Sequence, residues 1–378
     1  MFNRKPFVRV GIYALCTAVF STSLTATAQA APRQLDNEND QAVSITAPDH
    51  RNANAESSLR TQSSANTQSS ANTQSSASTQ SSATTTDPAG YWTEEKMRSA
   101  IPADRFSSAN AALAPQSSVP LRAPASDDLQ ASGNNKEEHY SHPVSPSNSS
   151  STEMNSARAS SAPVPSTAGK VFFTYKGKDY ACSGSVINTA NKSVVSTAGH
   201  CVHGGKGKGW HSNIAFAPAY RNGKAPRGLW NWKRATTFQG WRQHSDPSRD
   251  QAFFTVHKLR GKTLVQAVGG NGISYNLGHR RNGVRIWGWP GEKPFYGERA
   301  HYCDGNTFKR HRLLNDMRMS SCAMSGGASG GPWLSKRTSK DLGYVFGVTS
   351  RASISGPRYV LSTPFNNSVR NLLNDIGK

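Results

Sequence analysis

An all-β, antiparallel domain of barrel or sandwich type, ending in one helix and preceded by a largely disordered N-terminal region, is the fold class the sequence predicts. Three observations predict it. Residues 169–378 consist of short β-branched and aromatic runs separated by Gly, Pro and Asn. At Asn366–Ile376 the period changes, and Val369, Leu372, Leu373 and Ile376 fall at helical spacing. Residues 31–168 are rich in Ser, Thr, Ala, Asn, Gln and Pro with few large apolar side chains, so burial there cannot offset the entropy of ordering. A hydrophobic content of 35% and a mean hydropathy of −0.61 over 378 residues agree with a chain of which much is not core.

The chain begins with Arg4, Lys5 and Arg9, continues as an apolar stretch from Val10 to Leu24, and reaches Ala28-Gln29-Ala30. This layout predicts a secretory leader over 1–30, cut after Ala30, and a secreted, extracellular protein. Thr17, Ser21, Thr22 and Ser23 interrupt the stretch, which argues against a membrane anchor.

Residues 31–168 read as a low-complexity prosegment and linker. A six-residue repeat starts at Thr61, Thr67, Thr73 and Thr79. It has neither a helical period nor an apolar face to stack, so it reads as a spacer. Gly90–Ala100 stands apart from this monotony. Thr93 is placed to cap a short helix with Glu94, Glu95 and Lys96 in its first turn, and Trp92 and Met97 require a partner surface. The stretch therefore reads as the part of a prosegment that touches the folded domain.

From 169 onward, Val171–Tyr175 opens the β region. Further strands are expected at Gly184–Ile187, Ser193–Thr197, Leu229–Thr236, Ala252–Val256, Val284–Trp289, Tyr344–Thr349 and Tyr359–Ser362. Removing the leader removes Cys16 and leaves Cys182, Cys201, Cys303 and Cys322. Of the three pairings open to them, Cys182 with Cys201 and Cys303 with Cys322 close short loops and suit an oxidising compartment. A zinc site drawing on His301, Cys303, His311 and Cys322 is the competing reading, but the spacing matches no common zinc pattern. No metal and no cofactor is expected.

Three segments carry chemistry: Thr197-Ala198-Gly199-His200-Cys201, Asp250-Gln251-Ala252-Phe253-Phe254 and Gly327-Ala328-Ser329-Gly330-Gly331-Pro332. A serine hydroxyl is a poor nucleophile without a base, and an imidazole, whose ordinary pKa is about 6.5, can take its proton and return it. An aspartate leading into a buried strand can fix the imidazole tautomer. Asp250 is preferred to Asp246, which precedes Pro247 and reads as a turn residue. Ser329 is preferred to Ser325 and Ser335, which lack the Gly-x-Ser-Gly-Gly setting. The backbone N–H groups of Gly327 and Ser329 are candidates for holding an oxyanion.

These motifs, with Gly288-Trp289-Pro290-Gly291 and Gly347-Val348-Thr349-Ser350 in support, make 169–378 resemble the chymotrypsin/trypsin-like serine peptidases, in the branch of secreted bacterial enzymes similar to glutamyl endopeptidases. The order His, Asp, Ser matches that family. The resemblance implies two antiparallel six-stranded β-barrels with the site in the cleft between them, and an endopeptidase acting through an acyl-enzyme. Ala328 stands where the animal digestive enzymes carry an acid that pairs with a newly cut amino terminus, so their activation switch is not expected, and maturation is expected between Ser156 and Gly169. Ala323, six residues before Ser329, would lie on the floor of the specificity pocket, where the lack of an acid argues against Arg or Lys preference. Thr349, Ser350 and Arg351 would line its wall. Arg351 would favour an acidic side chain there, whereas Thr349 stands where a glutamyl enzyme would carry a pocket histidine.

Residues 169–378 carry 32 basic and 9 acidic side chains, a net charge of +23 within a chain of +21. Such a surface attracts polyanions and anionic cell surfaces. No recognition-helix or aromatic-and-basic RNA motif accompanies it, so sequence-specific nucleic-acid reading is not expected. Gly204–Gly209 does not match a phosphate-binding loop and reads as a surface loop. The expected partners are protein or peptide substrates of a monomer. The competing functional class is a cationic pseudo-peptidase that binds anionic surfaces without cutting.

Overall fold

Two β-sheets form the frame of the computed structural model, which describes residues 38–48, 88–103, 136–147, 164–310, 315–339, 341–353 and 358–378, all belonging to the unit Leu35–Lys378. The expected leader and the six-residue repeat lie outside the described residues.

The N-terminal region supplies β1 (Ala42–Thr46), two short helices α1 (Pro88–Tyr91) and α2 (Glu94–Ser99), β2 (Ile101–Pro102) and β3 (Glu138–Ser141). The first sheet is built from β4 (Ala168–Tyr175), β5 (Lys178–Ile187), β6 (Val194–Thr197), β7 (Ser212–Pro218), β8 (Trp230–Phe238) and β9 (Ala252–Val256). These six close into a barrel in the order β4-β5-β6-β9-β8-β7. The β4–β5 hairpin turns at Lys176-Gly177, both at positive φ, as a two-residue hairpin loop that follows the strand twist requires. β8 is long enough to pair with β7 at its start and with β9 along its end, which closes the barrel.

The helices α3 (Gln239–His244) and α4 (Leu264–Val268) flank β9 in sequence, and α4 begins with a complete capping box of Thr263 and Gln266. The second sheet comprises β10 (Gly272–Tyr275), β11 (Arg281–Gly288), β12 (His301–Lys309), β13 (Met317–Ser320), β14 (Pro332–Ser335), β15 (Tyr344–Val348), β16 (Arg351–Ala352) and β17 (Tyr359–Ser362), with β3 added at its edge. Its order is β16-β17-β13-β12-β11-β14-β15-β10-β3. The chain then forms α5 (Val369–Ile376), which buries Val369, Leu372, Leu373 and Ile376 as the 3.6-residue period predicts. Each of those side chains contributes roughly 1.5–3 kcal/mol of burial.

One apolar cluster joins the halves: Phe172, Ala217 and Phe253 of the barrel meet Trp287, Leu334 and Val345 of the second sheet and the buried face of α5. Both expected local disulfides are present, Cys182–Cys201 and Cys303–Cys322. The zinc alternative therefore loses its thiolates, and His311 lies outside the described residues.

Three stretches of the region expected to be largely disordered are folded against this frame. β1 adds to the free edge of β8, and β3 to β10. Between them, Thr93 caps α2 by accepting from the Lys96 N–H, as expected. Trp92 and Met97 are buried, and the Trp92 indole N–H donates to Asn213 O at 2.7 Å with its ring 5.2 Å from that of Phe172. The need for a partner surface is met by the barrel itself.

Candidate active site

His200 sits on a 3-10 turn, Gly199–Cys201, that follows β6, and Asp250 sits on the residue joining another 3-10 turn, Pro247–Arg249, to the end of β9's approach. β6 and β9 are neighbours in the barrel, which brings these two residues together across fifty positions of sequence. His200 Nδ1 lies 2.8 Å from Asp250 Oδ2 and 3.1 Å from Oδ1, and the His200 backbone N–H donates to Oδ1 at 2.8 Å. A Cβ at Gly199 would lie 3.0 Å from Asp250 Oδ1 and from the Trp241 ring, so only glycine leaves room for the carboxylate there. Asp246, the rejected candidate, accepts from the Ser248 N–H and is a turn residue.

Ser329 lies on the loop between β13 and β14, 1% exposed. Its carbonyl accepts from the Ser183 N–H at 2.7 Å, and its hydroxyl donates to Ser350 O at 3.4 Å. Ser350 in turn donates its own hydroxyl to Asp250 Oδ2 at 2.6 Å. One residue thus links the serine loop to the carboxylate. The loop is held from below by the Ser183 hydroxyl, which donates to Gly327 O and accepts from the Trp289 N–H, both at 2.9 Å. Gly327 has φ +93°, and a Cβ there would lie 2.7 Å from Trp289 O, so the position needs glycine on two counts.

Burial, the largest influence on Asp250, opposes its ionisation. The charge and hydrogen bonds of His200, with the hydrogen bond from Ser350, outweigh it and hold the carboxyl below its ordinary range. Two further histidines lie close by in sequence. Burial pushes His203 down to about 4 and His211 down to about 3. His203 Nδ1 accepts from the Gly205 N–H at 3.0 Å, which fixes a neutral ring. His211 stacks on Phe173 with centroids 4.3 Å apart. His200, Cys182 and Cys201 place their ligand atoms within 4.8 Å of one another, but the two sulfurs are bonded to each other and offer no thiolate to a metal.

The expected pocket residues fare differently. Ala323 is exposed. Thr349 is buried, its hydroxyl accepting from the Trp333 indole N–H at 3.0 Å. Arg351 is 3% exposed and donates to Asp316 Oδ1 at 2.5 Å, so its charge is neutralised inside the protein and is not available to a substrate carboxylate. Ser350, expected at the pocket wall, has its hydroxyl on Asp250. Sequence reasoning also missed Ser183, whose only signal is its place beside Cys182.

No family model and no curated protein matches the chain, whereas solved structures do. The protease Anisep from Arthrobacter nicotinovorans is 32% identical, with a TM-score of 0.53 over 57% of this chain and 98% of that one. The thermostable serine protease AL20 from an extremophilic microorganism is 30% identical, with a TM-score of 0.52 over 56% of this chain and 96% of that one. A Glu endopeptidase is more distant, at 18% identity and a TM-score of 0.44 over 58% of this chain and 94% of that one, and lends the glutamyl branch no support. With nearly the whole of two proteases matched at 30% identity or more, the chain belongs to the chymotrypsin-like serine protease family.

Proposed function

We propose that the chain is a secreted serine endopeptidase in which Ser329 is the nucleophile, His200 the general base and acid, and Asp250 the group that orients and charges the imidazole. The observation that carries this reading is the Asp250 carboxylate: wholly inside the protein, it accepts from the His200 ring, the His200 backbone and the Ser350 hydroxyl. A buried carboxylate costs several kcal/mol unless it is so satisfied, and this arrangement leaves Nε2 of His200 as the proton-accepting nitrogen.

In the reaction, the Ser329 oxygen bonds to the substrate carbonyl carbon while its proton passes to His200. The carbonyl π pair moves to oxygen, where the N–H groups of Gly327 and Ser329 stabilise it. The C–N bond then breaks, with the proton going from His200 to the leaving amine, and an acyl-enzyme remains. Water, deprotonated by the same imidazole, releases the acid and restores Ser329. The proteins similar to this chain are named proteases, which supports protein or peptide substrates. The leader-like start and two disulfides support secretion. An acidic side-chain preference has lost its argument, because the cation invoked for it is paired with Asp316.

The test is hydrolysis of casein and reaction with a small fluorophosphonate by the processed protein and its Ser329→Ala variant. Activity in the first and none in the second is expected. Equal activity in both removes Ser329 from the mechanism, and none in either favours a cationic pseudo-peptidase.

A further inference from the structure

β5 is paired along one edge by three different partners. β4 covers its opposite edge from Lys178 to Ser185. On the edge in question, β6 reaches only Ser185–Ile187, and Ser183 gives its N–H to Ser329 O. Farther along, Tyr180 and Ala181 pair in parallel with Ile101 and Pro102 of β2. At about 3.3 Å per residue, Ala181 lies only about 7 Å along the strand from the residue that holds the serine loop.

The other flank of β2 meets the turn at Gly291, which is hydrogen-bonded to that loop. A Cβ at Gly291 would lie 2.6 Å from Pro102 Cγ, while the Gly291 N–H donates to Gly326 O at 2.6 Å. Ala103, wholly buried, joins the cluster of Cys182, Ala198 and Cys201, next to His200. Ile101–Ala103 therefore lies between β5 and the turn at Gly291, two elements that are each hydrogen-bonded to the loop carrying Gly327 and Ser329.

We propose that Ile101–Ala103 is a strand plug: it fills the peptide-binding groove beside Ser329 and keeps the uncut chain from taking polypeptide substrates. The inference rests on reading His200, Asp250 and Ser329 as a peptidase site. Added strands bind through main-chain pairing and need little sequence specificity. Pro102 has no N–H to extend the ladder, so the pairing stays short. The preceding residues hold the plug down. Tyr91 donates to Asp179 at 2.7 Å, and Trp92 and Met97 are buried in the barrel-side cluster. Arg98 pairs with Glu298 at 3.3 Å and donates to Asn222 O. Being part of the same chain, the plug binds intramolecularly and needs little affinity of its own to stay docked.

The test uses the full chain, confirmed intact by mass, with two readouts. A small fluorophosphonate needs only the serine and its base. An internally quenched peptide that extends well past its cleaved bond needs the groove as well. The intact chain is expected to take the label yet to hydrolyse the peptide poorly. Trp92→Ala with Met97→Ala, and separately Ile101→Gly with Pro102→Gly, should raise peptide kcat/KM at least about tenfold with the labelling rate unchanged. Should a variant fail to fold, the unchanged chain carrying an inserted site for a specific protease between 103 and 136 is cut instead, with the same rise expected and its reversal by added 88–103 peptide. Equal peptide hydrolysis before and after release, with equal labelling, overturns the plug. No labelling in any form overturns the peptidase reading itself, and the plug with it.

Discussion

Asp250 is the residue on which the candidate site turns, because its charge is stable only while several donors face it. Replacing it by Asn keeps the shape but offers an amide where the His200 N–H needs an acceptor, and kcat is expected to fall by about 10⁴. Ser350→Ala removes one donor of the set. The expected result is a smaller loss, roughly tenfold in kcat with KM unchanged, because substrate contacts are left intact. A larger effect on KM than on kcat would return Ser350 to the pocket wall that the sequence suggested. His200, Asp250 and Ser329 were legible because each stands in a distinctive local setting. The roles of Ser350 and Arg351 were not, since adjacent residues near a strand end face opposite ways, and only the fold decides which one meets Asp250 and which meets Asp316.

At the scale of elements, the loop between the His200 turn and β7 carries two histidines that the fold keeps neutral. His203 and His211 titrate in the folded protein at about 4 and about 3, against about 6.5 when unfolded. Below pH 6.5 the unfolded chain therefore binds more protons than the folded one, so their contribution to stability is complete above that pH and is lost as pH falls towards 4. The melting temperature should decline steeply from pH 6 to 4, and a flat profile would refute the neutral assignment. The disulfide between Cys182 and Cys201 closes a loop across β5 and the His200 turn. Replacing both cysteines by Ala is expected to cost about 3 kcal/mol by denaturant titration. The strands that sequence reading found are those with runs of apolar or β-branched residues. β12, His301–Lys309, escaped it because most of its side chains are exposed or half-buried on both faces. β7 escaped because Ser212-Asn213 opens it and Pro218 closes it, residues that also read as loop.

For the whole molecule, the distribution of charge matters more than its sum. The domain from 169 onward carries a net +23, while residues 1–168 carry 12 basic and 14 acidic side chains. Docked N-terminal segments bring carboxylates to basic partners, Asp40 to Arg249 at 2.5 Å and Glu137 to Lys336 at 2.8 Å. Such partly exposed pairs contribute little each. Their collective sign, however, steers the segment onto the domain. The remaining positive field is expected to bind a sulfated polysaccharide, with affinity falling steeply from 50 to 500 mM salt as the Debye length shrinks. Salt-independent binding would count against a surface-charge origin. Among the described residues no helix is long and apolar enough to cross a membrane.

Sequence alone determined the β class of residues 169–378, the terminal helix, the two short-range disulfides and the three residues that compose the candidate site, because each is written in local pattern or in residues whose chemistry has few other uses. Tertiary structure decided what the N-terminal region does. Composition marked that region as unable to build a core of its own. Trp92, Met97 and Ala103 nevertheless bury themselves in the core of the barrel, and Ile101 and Pro102 pair with its strand edge. Trp92 and Met97 announced in the local pattern that they need a partner surface, but which surface they meet, and that Ile101–Pro102 pairs with β5, depends on a face assembled from distant parts of the chain.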